Sequence, residues 1–214
     1  MNPKNKQAQA IVRRLKKTYP RAAIALHFHN PLELLVATIL SAQCTDKKVN
    51  EVTEDLFKHY RSVDDYAEAD PAQFEQAIRS TGFYRNKAKN IIAAAQKIMS
   101  DFKGTVPQAM DALVSLPGVA RKTANIVLFS GFGIIEGIAV DTHVRRLSQR
   151  LGLTMHDDPS KIEQDLMGLV AKKDWGFFSY LLIEHGRAIC AAKKPLCPEC
   201  VLKDICPSRK KFYP

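Results

Sequence analysis

Four cysteines crowd into the last quarter of the chain: Cys190, Cys197, Cys200 and Cys206, in the order C-x6-C-x2-C-x5-C. Four thiols within seventeen residues point to a metal centre that ties the C-terminal segment to the rest of its domain. Soft sulfur ligands suit a tetrahedral zinc and a cubane iron-sulfur cluster alike, so the count alone does not choose between them. Structural zinc usually takes two C-x2-C pairs, whereas here one such pair is flanked by single cysteines six residues before and five after. That spacing favours a 4Fe-4S cluster; zinc, disulfides and chance clustering are the alternatives.

The 214 residues, 46% of them hydrophobic, suffice for one large or two small domains. No apolar run approaches the ~18 residues of a membrane span, and MNPKNKQAQA has no apolar stretch of a signal peptide. The expectation is a soluble, cytoplasmic protein with reduced thiols, since disulfide scaffolds belong to secreted chains. Lys and Arg outnumber Asp and Glu by 32 to 22, a net charge of +10. That excess favours a polyanionic partner, although basic proteins without nucleic-acid function are common.

Helical periodicity dominates. From Tyr84 to Phe102 the apolar positions Tyr84, Ala88, Ile91, Ile92, Ala95, Ile98, Met99 and Phe102 recur every three or four residues along one face. Further helices are expected at about 5–19, 31–43, 46–60, 71–80, 108–115, 119–131, 141–152, 159–171 and 174–190. Asp70-Pro71 and Asp158-Pro159 are start signals, Asp as cap and Pro at the first helical position. No segment alternates with period two, so the fold class is all-α. The GFGIIEGIAV stretch, 131–140, is expected as a connector.

LPGVARKTAN, Leu116 to Asn125, reverses the chain between two helical segments, with Gly118 supplying backbone freedom. This is a helix-hairpin-helix signature, about 108–130. Unpaired N–H groups and the positive dipole end at the start of the second helix suit a DNA phosphate. An ordinary tight turn between helices is the plainer reading. A P-loop is a poorer match, because Arg121 stands where its glycine belongs and no strand precedes it.

Lys122 lies in the first turn of that second helix beside Arg121, in positive potential, and the neutral form of a lysine is nucleophilic. Asp141, in AVDTHVRRL, stands nineteen residues on at an expected helix start. Singly, Lys122 reads as a phosphate contact and Asp141 as an N-cap. Together with the cysteine loop they suggest a nucleophile and its carboxylate.

At these residues the chain resembles the endonuclease III type of DNA glycosylase, the iron-sulfur branch of the helix-hairpin-helix family. The resemblance runs through LSAQCTDKKVN (40–50), TGFYRNKAKNI (81–91), LPGVARKTAN (116–125), VDTHV (140–144), EHGRAIC (184–190) and the cysteine loop (190–206). It implies two helical domains flanking a DNA-binding cleft: 24–135 as the central domain, and 1–23 with 136–214 as the terminal one. It implies Lys122 as Schiff-base nucleophile, Asp141 as catalytic carboxylate, and a 4Fe-4S cluster on the four cysteines. The implied activity is base excision repair by a monomer. Oxidised pyrimidines are removed from damaged double-stranded DNA, and the strand is cut 3′ to the abasic site by β-elimination.

By the same resemblance Gln43 and Phe83 enter the helix to fill the gap left by a flipped base, Phe83 as an apolar wedge. Read alone, Gln43 is a helix-end polar residue and Phe83 a core aromatic. Gly118, Ala120, Arg121 and Thr123 are implied hairpin contacts to DNA. Lys193 and Lys194 are candidate phosphate contacts, or plain solvated surface. Ala120 replaces the hairpin's usual second glycine, Phe83 a frequent leucine, and Cys44 lies outside the cluster set. A monofunctional mismatch glycosylase and a non-catalytic DNA-binding or redox module are the other readings.

Overall fold

The structure is a computed structural model that describes residues 2–213. Twelve α-helices and no β-strand are found among the described residues. In chain order they are α1 (Pro3–Thr18), α2 (Pro31–Leu40), α3 (Asp46–His59), α4 (Val63–Ala67), α5 (Pro71–Ala77), α6 (Tyr84–Phe102), α7 (Met110–Val114), α8 (Arg121–Ile126), α9 (Thr142–Arg150), α10 (Pro159–Leu169), α11 (Trp175–Ala188) and α12 (Arg209–Phe212). Among these residues no helix is long and apolar enough to cross a membrane.

Helix starts follow one local device. Asp70 and Asp158 cap the amides of Gln73 and Lys161 at 2.8 and 3.0 Å, each followed by Pro at the first helical position. Asn2-Pro3 and Asn30-Pro31 repeat it, with side-chain oxygens on Lys4 and Glu33 amides at 3.1 and 2.9 Å. Each such cap is worth about 1 kcal/mol.

Several helices are shorter than their periodicity suggests. The 31–43 expectation ends at Leu40, because the chain turns at 41–44 before Thr45 caps α3. The 71–80 expectation resolves into α5 and a 3-10 turn, Arg79–Thr81. The 119–131 expectation begins at Arg121 and passes into a π-helical turn, Val127–Gly131. α4 and α12 lack long periodicity and were not expected; α4 is set by a reciprocal capping box between Ser62 and Asp65.

The contacts divide the chain into two compact units. In Ala25–Ile134, α2 and the apolar face of α6 pack with α3, α4, α5 and α8 around Leu34, Leu40, Ile91 and Leu128. Tyr60, Tyr66 and Phe74 stack or meet edge to face within it. The other unit is formed by the flanking segments, where α1, α9, α10 and α11 enclose Ile11, Leu15, Leu147, Leu166, Phe178 and Leu182. In that unit the segment 135–141 carries no regular secondary structure and is buried at Ile138, Ala139 and Val140. Glu163 accepts from the Ile138 amide at 3.3 Å and Ser179 donates to the Ala139 carbonyl at 2.8 Å, delivering the chain to α9 at a fixed place.

Candidate active site

Gly118 makes the hairpin. Its φ of +78° lies in the left-handed region, and a Cβ there would stand 2.8 Å from Cβ of Asn90 on α6. Conformation and space both require glycine. Leu116 and Val119 are buried on either side, and the Val119 amide donates to the Leu116 carbonyl at 3.1 Å. Ala120 follows at φ −90°, ψ 169°, ordinary extended backbone, so its methyl sits without strain. It opens α8 with no side-chain cap bond. Arg121, Lys122 and Thr123 fill the first turn, where amides have no intrahelical partner and the helix dipole is positive. Arg121 and Lys122 are exposed, and Thr123 is half-buried.

Gln43 and Phe83 share an unusual backbone. Among the described residues three non-glycine residues have positive φ: Gln43 (+52°), Phe83 (+48°) and Lys103 (+53°). Lys103 only ends α6. Gln43 and Phe83 stand in the turns before α3 and α6, and both are exposed, Phe83 to 62%. A left-handed non-glycine residue costs about 1–2 kcal/mol, and here an apolar ring is presented to water as well. The core-aromatic reading of Phe83 is therefore wrong: its ring faces solvent because Gly82, at φ +70°, and its own dihedrals turn the chain outward.

Asp141 is the N-cap of α9. One carboxylate oxygen accepts from the Val144 amide at 2.8 Å; the other lies 3.2 Å from Nδ1 of His143. The side chain keeps 20% exposure, so it is held by two partners yet reachable. α11 comes very close to α9 here, since a Cβ on Gly186 would meet His143 at 2.9 Å and Arg146 at 3.0 Å. Lys122 and Asp141 belong to different units.

The four cysteines do come together. Cys190, Cys197, Cys200 and Cys206 line one small, largely apolar cavity of about 30 Å³ with Arg150, His185 and Arg209. Burial pushes the Cys200 thiol up to about 11 and His185 down to about 4. His185 is held between the Tyr19 hydroxyl at 3.0 Å from Nδ1 and Cys200 Sγ at 3.3 Å from Nε2. Arg150 donates to the Ala191 and Ala192 carbonyls at 2.8 and 2.7 Å and lies 3.2 Å from Cys190 Sγ. Arg146 donates to the Gly186 and Cys190 carbonyls. Two arginines of α9 thus fix the backbone that carries the first cysteine. Lys193 and Lys194, next along that loop, are exposed. Among the described residues no three His, Cys, Asp or Glu side chains form a set that could hold a single metal ion. Four cysteines lining one cavity with Arg150 and Arg209 are a donor set that suits an iron-sulfur group, whose thiolate charge those two cations would offset.

Sequence reasoning missed Arg146, Arg150, Tyr19 and Lys87. Lys87 left a signal: three residues after Tyr84 and four before Ile91, it falls on the apolar stripe of α6.

The sequence pattern described as HhH-GPD superfamily base excision DNA repair protein matches residues 36–172. The chain belongs to that superfamily. Within it, the chain is 56% identical over 208 residues to "Endonuclease III" of Synechocystis sp., covering 97% of this chain and 95% of the relative. It is 44% identical over 207 residues to that of Bacillus subtilis, covering 96% and 94%. Among solved structures, a trapped endonuclease III–DNA covalent intermediate with an estranged adenine superposes with a TM-score of 0.92 at 43% identity over 99% of both chains.

Proposed function

We propose that this protein is a bifunctional DNA glycosylase and abasic-site lyase that removes oxidised pyrimidines from double-stranded DNA. Lys122, exposed in the first turn of the hairpin helix, carries the reading. A relative of the same fold caught as a covalent intermediate with DNA supports it. The exposed amides and dipole of α8 receive a phosphate beside the lesion, and the +10 charge adds sequence-independent affinity. Gln43 and Phe83 enter the duplex as the damaged nucleotide leaves it, an exchange eased because a damaged base stacks and pairs poorly.

The Lys122 amine then attacks the sugar C1′, the bond to the base breaks, and the base departs with that electron pair and takes up a proton. The Asp141 carboxylate draws the amine's proton and stabilises positive charge on the sugar. The nitrogen lone pair then breaks the C1′–O4′ bond, O4′ takes up a proton and the opened sugar is left as a protonated imine. Loss of a C2′ proton from it expels the 3′ phosphate by β-elimination, so one nucleophile serves both activities. Arg121, Thr123, Lys193 and Lys194 contact phosphates. The two compact units are taken as the central and terminal domains, and the cytoplasm, where the bacterial relatives' DNA lies, as the site of action. Cys190, Cys197, Cys200 and Cys206 hold a 4Fe-4S cluster. When bound, it supplies the cross-link that keeps the loop 190–206 in one shape.

Borohydride trapping on a duplex with thymine glycol tests the reading. Lys122→Gln should lose the trapped adduct and strand cleavage while still binding duplex; an adduct formed at wild-type rate would reassign the nucleophile. Asp141→Asn, which keeps a capping side chain, should slow base excision by about 10²–10⁴-fold without changing the melting temperature. Excision at the wild-type rate would remove Asp141 from the chemistry.

A further inference from the structure

Lys87 is a buried cation on the apolar face of α6, with 5% of its surface exposed. Nζ donates to the Leu40 carbonyl at 2.7 Å and to the Thr81 carbonyl at 2.8 Å. Leu40 is the last residue of α2, and Thr81 the last of the 3-10 turn at Arg79–Thr81. Helix-end carbonyls lack intrahelical donors and carry the negative end of the dipole, so one ammonium satisfies two such ends. Gln43 follows Leu40 by three residues, and Phe83 follows Thr81 by two. The Lys87 amide also donates to the Phe83 carbonyl at 3.1 Å.

We propose that Lys87 is the positioning residue that ties the Gln43 and Phe83 turns to each other, so that both side chains enter the duplex as one unit. The proposal rests on the proposed function for its consequence, though the tie itself is a matter of geometry. Burial disfavours the ammonium, partly offset by Cys44, and the two carbonyls give the charge a reason to stay there. An ordinary surface lysine would serve neither turn. The strained dihedrals at Gln43 and Phe83 need such an anchor, because each turn alone would relax toward commoner backbone.

Lys87→Met keeps the chain length and removes the donors; Lys87→Gln, which keeps an amide donor, is the milder variant if Lys87→Met folds poorly. Amide hydrogen exchange should quicken at 41–45 and 79–83 and stay unchanged at 116–121. On a thymine glycol duplex, excision should fall roughly ten- to a hundredfold, as expected when active groups are misplaced by about 1 Å. Fluorescence of a 2-aminopurine opposite the lesion should fall with it. β-Elimination at a single-stranded abasic site, where no duplex is opened, should run near the wild-type rate. Placed on Gln43→Ala/Phe83→Ala, Lys87→Met should cost nothing further in excision. Wild-type exchange at the two turns, an equal loss on the single strand, or a full additional loss in the triple variant would overturn the proposal. A wild-type protein inactive on every lesion would overturn the proposed function instead, while the exchange pattern would still decide the tie.

Discussion

The turns at Gln43 and Phe83 and the cysteine loop at 190–206 put side chains in place by opposite means. The two turns spend backbone strain to hold side chains outward, and their conformation is complete within the polypeptide. The loop has little regular structure, with a 3-10 turn at Cys197–Glu199 and donors from Arg146 and Arg150 on its first carbonyls. Its thiols turn inward onto a cavity. On the proposed function, groups that meet a transient partner are preset by dihedrals, whereas groups that would hold a resident cluster only need to converge and the cluster would complete the loop.

The largest effect should come from removing the proposed 4Fe-4S cluster. The purified protein should be brown, with about four irons per chain, and Cys200→Ser should lose much of that colour. With it the loop should lose protection from protease while 25–134 stays resistant. Stoichiometric zinc without visible absorption would break this side of the comparison.

A smaller loss is expected at the hairpin. Gly118→Ala meets both the +78° dihedral and the Asn90 Cβ, and should destabilise the 25–134 unit by about 2–4 kcal/mol. Thermal unfolding read with and without Asn90→Gly separates the two causes, since that change relieves only the clash. A neutral Gly118→Ala would mean that the hairpin backbone is not fixed as described.

The smallest change has the opposite sign. Phe83→Gly relieves a left-handed non-glycine residue whose ring buries little, so stability should rise by about 0.5–1 kcal/mol after the entropy cost of glycine. Excision from duplex should fall at the same time. A variant that loses stability would show the ring to be a packing residue after all.

Much of this was legible beforehand because it is short-range. The apolar stripe of α6, the Asp-Pro starts of α5 and α10, and Gly118 in the hairpin are read within a few residues and appear where expected. Helix ends were read too long at 41–43 and 78–80, since periodicity continues where the chain has already turned. Phe83 was ambiguous because an aromatic beside a helix is usually buried, and only its dihedrals and exposure distinguish it.

The sequence alone determined an all-helical chain, the hairpin with its lysine, and four thiols in a spacing that suits a cluster. Tertiary structure decided which carbonyls Lys87 ties, across 47 residues to Leu40, and which backbone Arg150 holds, across 41 to Ala191. It also decided that the four thiols face one cavity. The reason is range: caps and periodicity act over one or two turns of chain. A buried cation or a shared cavity is defined by groups far apart in sequence, whose meeting no local pattern records.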